Sequence, residues 1–184
     1  MSVFTNPASA SKEQAGAYTA AILGLVGDAE PSVILRRTAD DLRAAIAGLS
    51  DEQLSTAEAP GKWSIRQVVR HLADSEIVLA WRLRMILAHE QPPLTGYDQD
   101  LWAERLGYDA ADVTESLEEF AVLRRGHMRL LDQASPKELE RYGVHAERGN
   151  ESVAHLMRMY AGHDTLHLRQ IARIRSSFGK SAPQ

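Results

Sequence analysis

Four long stretches of this chain repeat their apolar residues every three or four positions, and no stretch alternates convincingly at the period of two that a strand requires. That pattern restricts the chain to packed helices. The first stretch runs from about Pro31 to Leu49, with Val33, Ile34, Leu42, Ile46 and Leu49 on its apolar side. Pro31 suits a first turn, where a missing N–H costs nothing. The second runs from Ser64 to about His89, opened by a Ser64–Gln67 capping box with Trp63 placed to staple onto Val68. The third spans about Val113 to Ala134, opened by Asp112 and Glu115 and closed before Ser135-Pro136. The fourth spans about Ser152 to Phe178, and a weaker helix from about Ala15 to Val26 precedes all of them.

The halves share a plan. "LSDEQL" (Leu49–Leu54) and "ASPKEL" (Ala134–Leu139) each follow a long helix, carry a capping signature for one short turn, and lead to a Ser that begins the next long helix. Two helical hairpins are the parts of a four-helix bundle. Residues 1–30 are then an N-terminal extension with a short helix, and residues 31–180 the all-α bundle. Between the hairpins, Gln91 to Ala111 is long for a helix connection. It can span the bundle and leave the second and third long helices parallel. It also reads as a lid that brings Tyr97, Asp98 and Trp102 to a pocket, with Tyr160 facing them from the fourth helix.

A length of 184 residues with 44% hydrophobic and 25% charged side chains fits one soluble domain with a full core. The formal charge is -4 and the basic residues are scattered, which argues against a nucleic-acid footprint. No apolar run approaches the ~20 residues that span a bilayer, and the first residues lack the pattern of a secretory signal. The expectation is a cytoplasmic protein with no membrane partner. The chain has no cysteine, so any chemistry must use histidine, carboxylates, hydroxyls, a metal, or a thiol brought in by a cosubstrate.

Seven histidines remain. His163 and His167 stand four apart on the fourth helix, on the row Leu156–Tyr160–His163–His167–Ile174. His71 lies on the row Val68–His71–Ser75–Val78 of the second, so all three point toward or border the core. By the helical rise, His71 is roughly 10 Å from the start of its helix, and the midpoint of the pair roughly 16–20 Å from either end of the fourth. Those heights agree better if the two helices run antiparallel. Three imidazoles on one ion leave an open coordination position, as in catalytic rather than structural zinc. Core histidines satisfied by their neighbours are the other reading of the same spacing. Asp74, Asp164 and Gln170 are candidates to accept from the remaining imidazole N–H groups. Of the other histidines, His127 lies near the inner row of the third helix, whereas His89 and His145 fall at a helix end and in a loop. His155 competes weakly as a ligand.

"APGKWSIRQVVRHLADSE" (Ala59–Glu76) and "YAGHDTLHLRQI" (Tyr160–Ile171) resemble the two signature segments of the DinB/YfiT-like superfamily. "PPLTGYDQDLWAERL" (Pro92–Leu106) and "LEEFAVLRRGHMRLL" (Leu117–Leu131) fit the same pattern, so the likeness runs roughly from Pro31 to Phe178. The resemblance implies a four-helix bundle of up-down-down-up topology with a long crossover after its second helix. It also implies a divalent metal, zinc or nickel foremost, on residues matching His71, His163 and His167. Relatives of that kind include thiol S-transferases that use bacillithiol, mycothiol or glutathione, a thiol-dependent maleylpyruvate isomerase, and many proteins known only as assigned metal-dependent hydrolases. Homodimers are frequent among them. The implied function is a metal-dependent enzyme that directs a low-molecular-weight thiol at an electrophilic small molecule. The alternatives are a hydrolase using bound hydroxide and a non-catalytic, metal-stabilised binding module. Arg82, Arg84 and Arg169 are candidates for cosubstrate carboxylates.

Overall fold

The computed structural model describes residues 12–178. In chain order it has helices α1 (Lys12–Gly24), α2 (Pro31–Ile46), α3 (Asp51–Ser55) and α4 (Ile65–Ala88), then strand β1 (Pro93–Leu94) and α5 (Gln99–Arg105). A 3-10 turn at Tyr108–Ala110 leads to α6 (Val113–Gln133), α7 (Pro136–Leu139), strands β2 (Tyr142–His145) and β3 (Gly149–Ser152), and α8 (Val153–Ser177). The capping signals act where the sequence places them. Ser50, Ser64 and Ser135 each close a reciprocal capping box, opening α3, α4 and α7. Asp112 and Ser152 cap α6 and α8 through one side-chain acceptor each, without the reciprocal bond.

Helices α2, α4, α6 and α8 form the bundle, and cross-helix contacts give its direction. Arg66 donates to the Ala111 carbonyl and Arg124 to Glu76, so residue numbers rise together and α4 runs parallel to α6. Thr38 meets Asp164 and Arg175 meets the Ala45 carbonyl, so α2 and α8 are parallel as well. His71 faces His163 while Ser75 faces Tyr160, which makes α4 and α8 antiparallel. The order is up-down-down-up. The crossover from Gln91 to Ala111 spans the distance that two parallel neighbours impose.

That crossover is not plain loop. β1 pairs in parallel with β2, and β2 pairs antiparallel with β3, in a sheet whose order is β1-β2-β3. The sequence reading expected no strand. These segments are two to four residues long, too short to show a period, and they exist because the crossover meets the hairpin before α8. His145 is corrected with them: it is buried on β2, not exposed in a loop. α1 packs on α8 with Tyr18 and Ile22 buried. The approach is close enough that a Cβ on Gly162 would fall well inside contact distance of the Ile22 carbonyl oxygen. Among the described residues, no helix is long and apolar enough to cross a membrane.

The interior is layered. One apolar cluster holds Leu35, Leu79, Leu83, Met128 and Leu156, and the other holds Leu42, Leu72, Phe120 and Ile171. Between them each bundle helix turns a polar residue inward: Thr38, Glu76, Arg124 and Asp164, all buried. His71 and His167 are buried at about the same height.

Candidate metal centre

Two helices supply the centre. On α4, His71 follows Val68 by three residues and precedes Ser75 by four, one face of one helix. On α8, His163 and His167 are a turn apart and present their rings to the same side. Because α4 and α8 are antiparallel, the three rings converge. The Nε2 atoms of His71 and His163 lie 3.0 Å apart, and those of His167 and His163 lie 3.2 Å apart. One ligand atom from each of the three residues falls within 4.8 Å of the others. An ion held tetrahedrally by nitrogens at ~2.0–2.1 Å sets them about 3.3 Å apart, close to the two separations that His163 makes with His71 and His167.

Charge and tautomer agree with that fit. Burial holds the pKa of His71 and of His163 well below the usual histidine value, with the neighbouring His167 adding to the effect in each. Burial likewise lowers His167 to about 4, against a small opposing effect of its hydrogen bond to Gln170. All three are neutral near pH 7, the state in which imidazole is a ligand. Gln170 Oε1 accepts from His167 Nδ1 at 2.9 Å, which leaves the Nε2 lone pair for the shared centre. Trp63 packs its ring on His71 at a centroid distance of 4.9 Å and limits its rotation.

Of the predicted acceptors, only Gln170 reaches a histidine. Asp74 instead pairs with Arg70 and accepts from the Tyr108 hydroxyl at 2.5 Å. Asp164 follows His163 directly, so its side chain leaves the helix about 100° away, where Arg124 and Thr38 hold it. The Nδ1 atoms of His71 and His163 are buried with no protein partner. His127 is not a fourth ligand: its Nδ1 bonds Glu76 at 2.9 Å.

Two cavities flank the histidines. The inner one, about 70 Å³, is lined by His163, Ser75, Arg82, Tyr97, Tyr160 and Tyr18, among others. The outer one, about 540 Å³, is lined by His167, Gln170, Trp63, Lys62, Arg169 and Asp100, among others. Gln99, at the start of α5, borders both, so the crossover does wall the site. Tyr97 and Tyr160 both line the inner cavity. Trp102 lines neither cavity and packs against Tyr97 in a tilted arrangement, 4.6 Å between centroids. Asp98 is spent on capping α5 through the Asp100 and Leu101 N–H groups. Arg84 is exposed and bonds its own helix at the Ala80 carbonyl. The sequence reading missed Asp100 and Gln99, whose roles depend on how a seven-residue helix docks, and Tyr18, which comes from the N-terminal helix.

The family pattern of the DinB superfamily matches residues 34–171. A "putative metal-dependent hydrolase" of Oceanobacillus iheyensis is 34% identical over 133 residues, 72% of this chain and 77% of that protein. One of Bacillus mycoides with the same description is 31% identical over 136 residues, covering 74% of this chain and 78% of that protein. The solved structure of YfiT from Bacillus subtilis, described as a probable metal-dependent hydrolase with an unusual four-helix bundle topology, superposes with a TM-score of 0.76. It is 26% identical and the match covers 96% of this chain and 94% of that one. With its two signature segments brought together around three converging imidazoles, the chain belongs to the DinB superfamily.

Proposed function

We propose that the protein is a metal-dependent enzyme whose divalent ion is held by Nε2 of His71, His163 and His167. The convergence of three neutral imidazole nitrogens carries this reading. A divalent ion held by these three residues would supply Lewis-acid chemistry, lowering the pKa of an incoming thiol or water. Zinc and nickel both suit three imidazole ligands. Gln170 fixes the tautomer of His167, and Trp63 fixes the ring of His71.

The nucleophile we favour is an external low-molecular-weight thiol directed at an electrophilic small molecule. The outer cavity supports it, because Lys62 and Arg169 lie along its wall beside His167 and suit the carboxylates of an extended cosubstrate. The chain's lack of cysteine is consistent with a thiol supplied from outside. One observation favours hydrolysis instead. Asp100 lines the same cavity, and partial burial, aided by Asp98, raises its pKa, the direction that suits a general base. The hydrolase descriptions of the similar proteins point the same way.

Elemental mass spectrometry on untagged protein, before any chelator, tests the metal. One divalent ion per chain, lost in His71→Ala and His167→Ala, is expected. No ion after dialysis against zinc and nickel returns the histidines to the core. Turnover of an electrophile panel only when thiol is present supports transfer, and ester cleavage that Asp100→Asn abolishes supports hydrolysis.

A further inference from the structure

Two arginines of the described chain are buried to the same degree and treated in opposite ways. Arg124, 3% exposed, has Glu76 and Asp164 on its guanidinium. Arg82, 5% exposed, has no carboxylate: its Nη2 donates to the Thr95 carbonyl at 2.8 Å, and its buried Nε has no partner. Glu151, a nearby carboxylate, is already forked onto Arg148 at 2.6 and 3.1 Å. A buried cation without a counter-charge is costly, so such a group is retained where an anion comes to it.

A second contact points the same way. His145 Nε2 lies 3.4 Å from Arg82 Nη2. Burial, with a smaller effect of Arg148, lowers His145 to about 4, so the ring is neutral. Its Nδ1 accepts the Glu147 N–H at 3.2 Å, which puts the ring proton on Nε2. Arg82 and a neutral His145 therefore meet across 3.4 Å with no negative charge between them. Arg82 lines the inner cavity with His163, on the α4 face that carries His71 and Ser75. The other walls include Tyr18, Tyr97 and Tyr160. Burial raises each phenol, Tyr18 and Tyr160 to about 12, so they remain O–H donors or apolar faces and bring no negative charge.

We propose that the inner cavity takes the carboxylate of a small monoanionic substrate on Arg82, with the rest of the molecule extending between the tyrosine rings toward His163. One unmatched cation sets the charge at one. A cavity of about 70 Å³ limits the buried part to a short acid, because a single water occupies ~10–15 Å³ on this measure. The catalytic meaning of this pocket rests on the metal reading of the histidines; the binding itself does not.

Propionate tests it, with propionamide as the neutral counterpart and inorganic phosphate as the more highly charged one, each titrated calorimetrically into metal-loaded full-length protein. Propionate is expected to bind the wild type and to bind Arg82→Gln about tenfold more weakly or worse, the loss of one charge-assisted contact. Propionamide and phosphate should not distinguish the two proteins. Equal affinity of propionate for both overturns the proposal. So does propionamide matching propionate in the wild type, a comparison that needs no variant. Arg82-dependent phosphate binding tighter than that of propionate overturns the monoanion. Metal content of the same samples separates the two readings. Arg82-dependent propionate binding in a protein that takes up no metal leaves the pocket and removes the metal, and the converse removes the pocket alone.

Discussion

The Arg124 cluster, drawn from all four bundle helices, and the histidine centre, drawn from α4 and α8 alone, lie side by side in the bundle and follow opposite rules. In the first, Arg124 gives two bonds to Glu76, two to Asp164 and one to the Leu35 carbonyl, while Thr38 adds a further donor to Asp164. Burial alone would lower the Arg124 pKa, yet Asp164 and Glu76 raise it; Glu76 is held low against burial by Arg124 and His127. In the second, nitrogens of three neutral rings converge and two further ring nitrogens are left bare. Polar groups matched to one another hold a fold together. His127 Nε2 is also bare, at the margin of the first cluster; what sets the second apart is three neutral donor nitrogens converging with no charge to match them. Adjacent residues divide the roles: His163 faces one cluster and Asp164 the other.

The sharpest way to break this comparison is His163→Ala, which should abolish stoichiometric metal binding, read by elemental analysis, while circular dichroism retains most helicity. Full occupancy in that variant would remove the distinction between the clusters. Arg124→Met should do the reverse, leaving two buried carboxylates without their shared cation at a cost of about 3–5 kcal/mol in urea unfolding. Stability unchanged by that substitution would mean the cluster is not what holds the helices. Gln170→Ala should weaken metal affinity about 10–100-fold by competition with a chelator, as loss of an outer partner of a ligand does. The smallest effect is expected from Arg82→Met. With no carboxylate left behind, its unfolding free energy should move by no more than about 1 kcal/mol, and a loss as large as that of Arg124→Met would show Arg82 to be structural.

Sequence carried the helices and the three histidines because both are local or periodic. Capping boxes mark the starts of α3, α4 and α7 within four residues each, and the His71 and His163–His167 rows need only helical geometry and a facing partner. Gln170 was legible for the same reason, a single turn from His167. The carboxylates were not. Asp74 has the same spacing from His71 as Gln170 from His167, but Arg70 one turn before it and Tyr108 from the crossover take it away. Glu76, Arg124 and His127 did leave a trace, as polar residues inside otherwise apolar rows. Arg82 was legible as a candidate for a carboxylate but not as a buried group, because its burial depends on Thr95 and His145, which the short sheet brings over it. Pairings between segments that distant have no local signature.

α1 places Tyr18 in the inner cavity, and its seam with α8 closes on Gly162, the residue before His163. The family pattern begins at residue 34, so this wall is built from sequence that the shared signature does not constrain. Substitutions in α1 can therefore reshape this wall of the cavity without touching His71, His163 or His167.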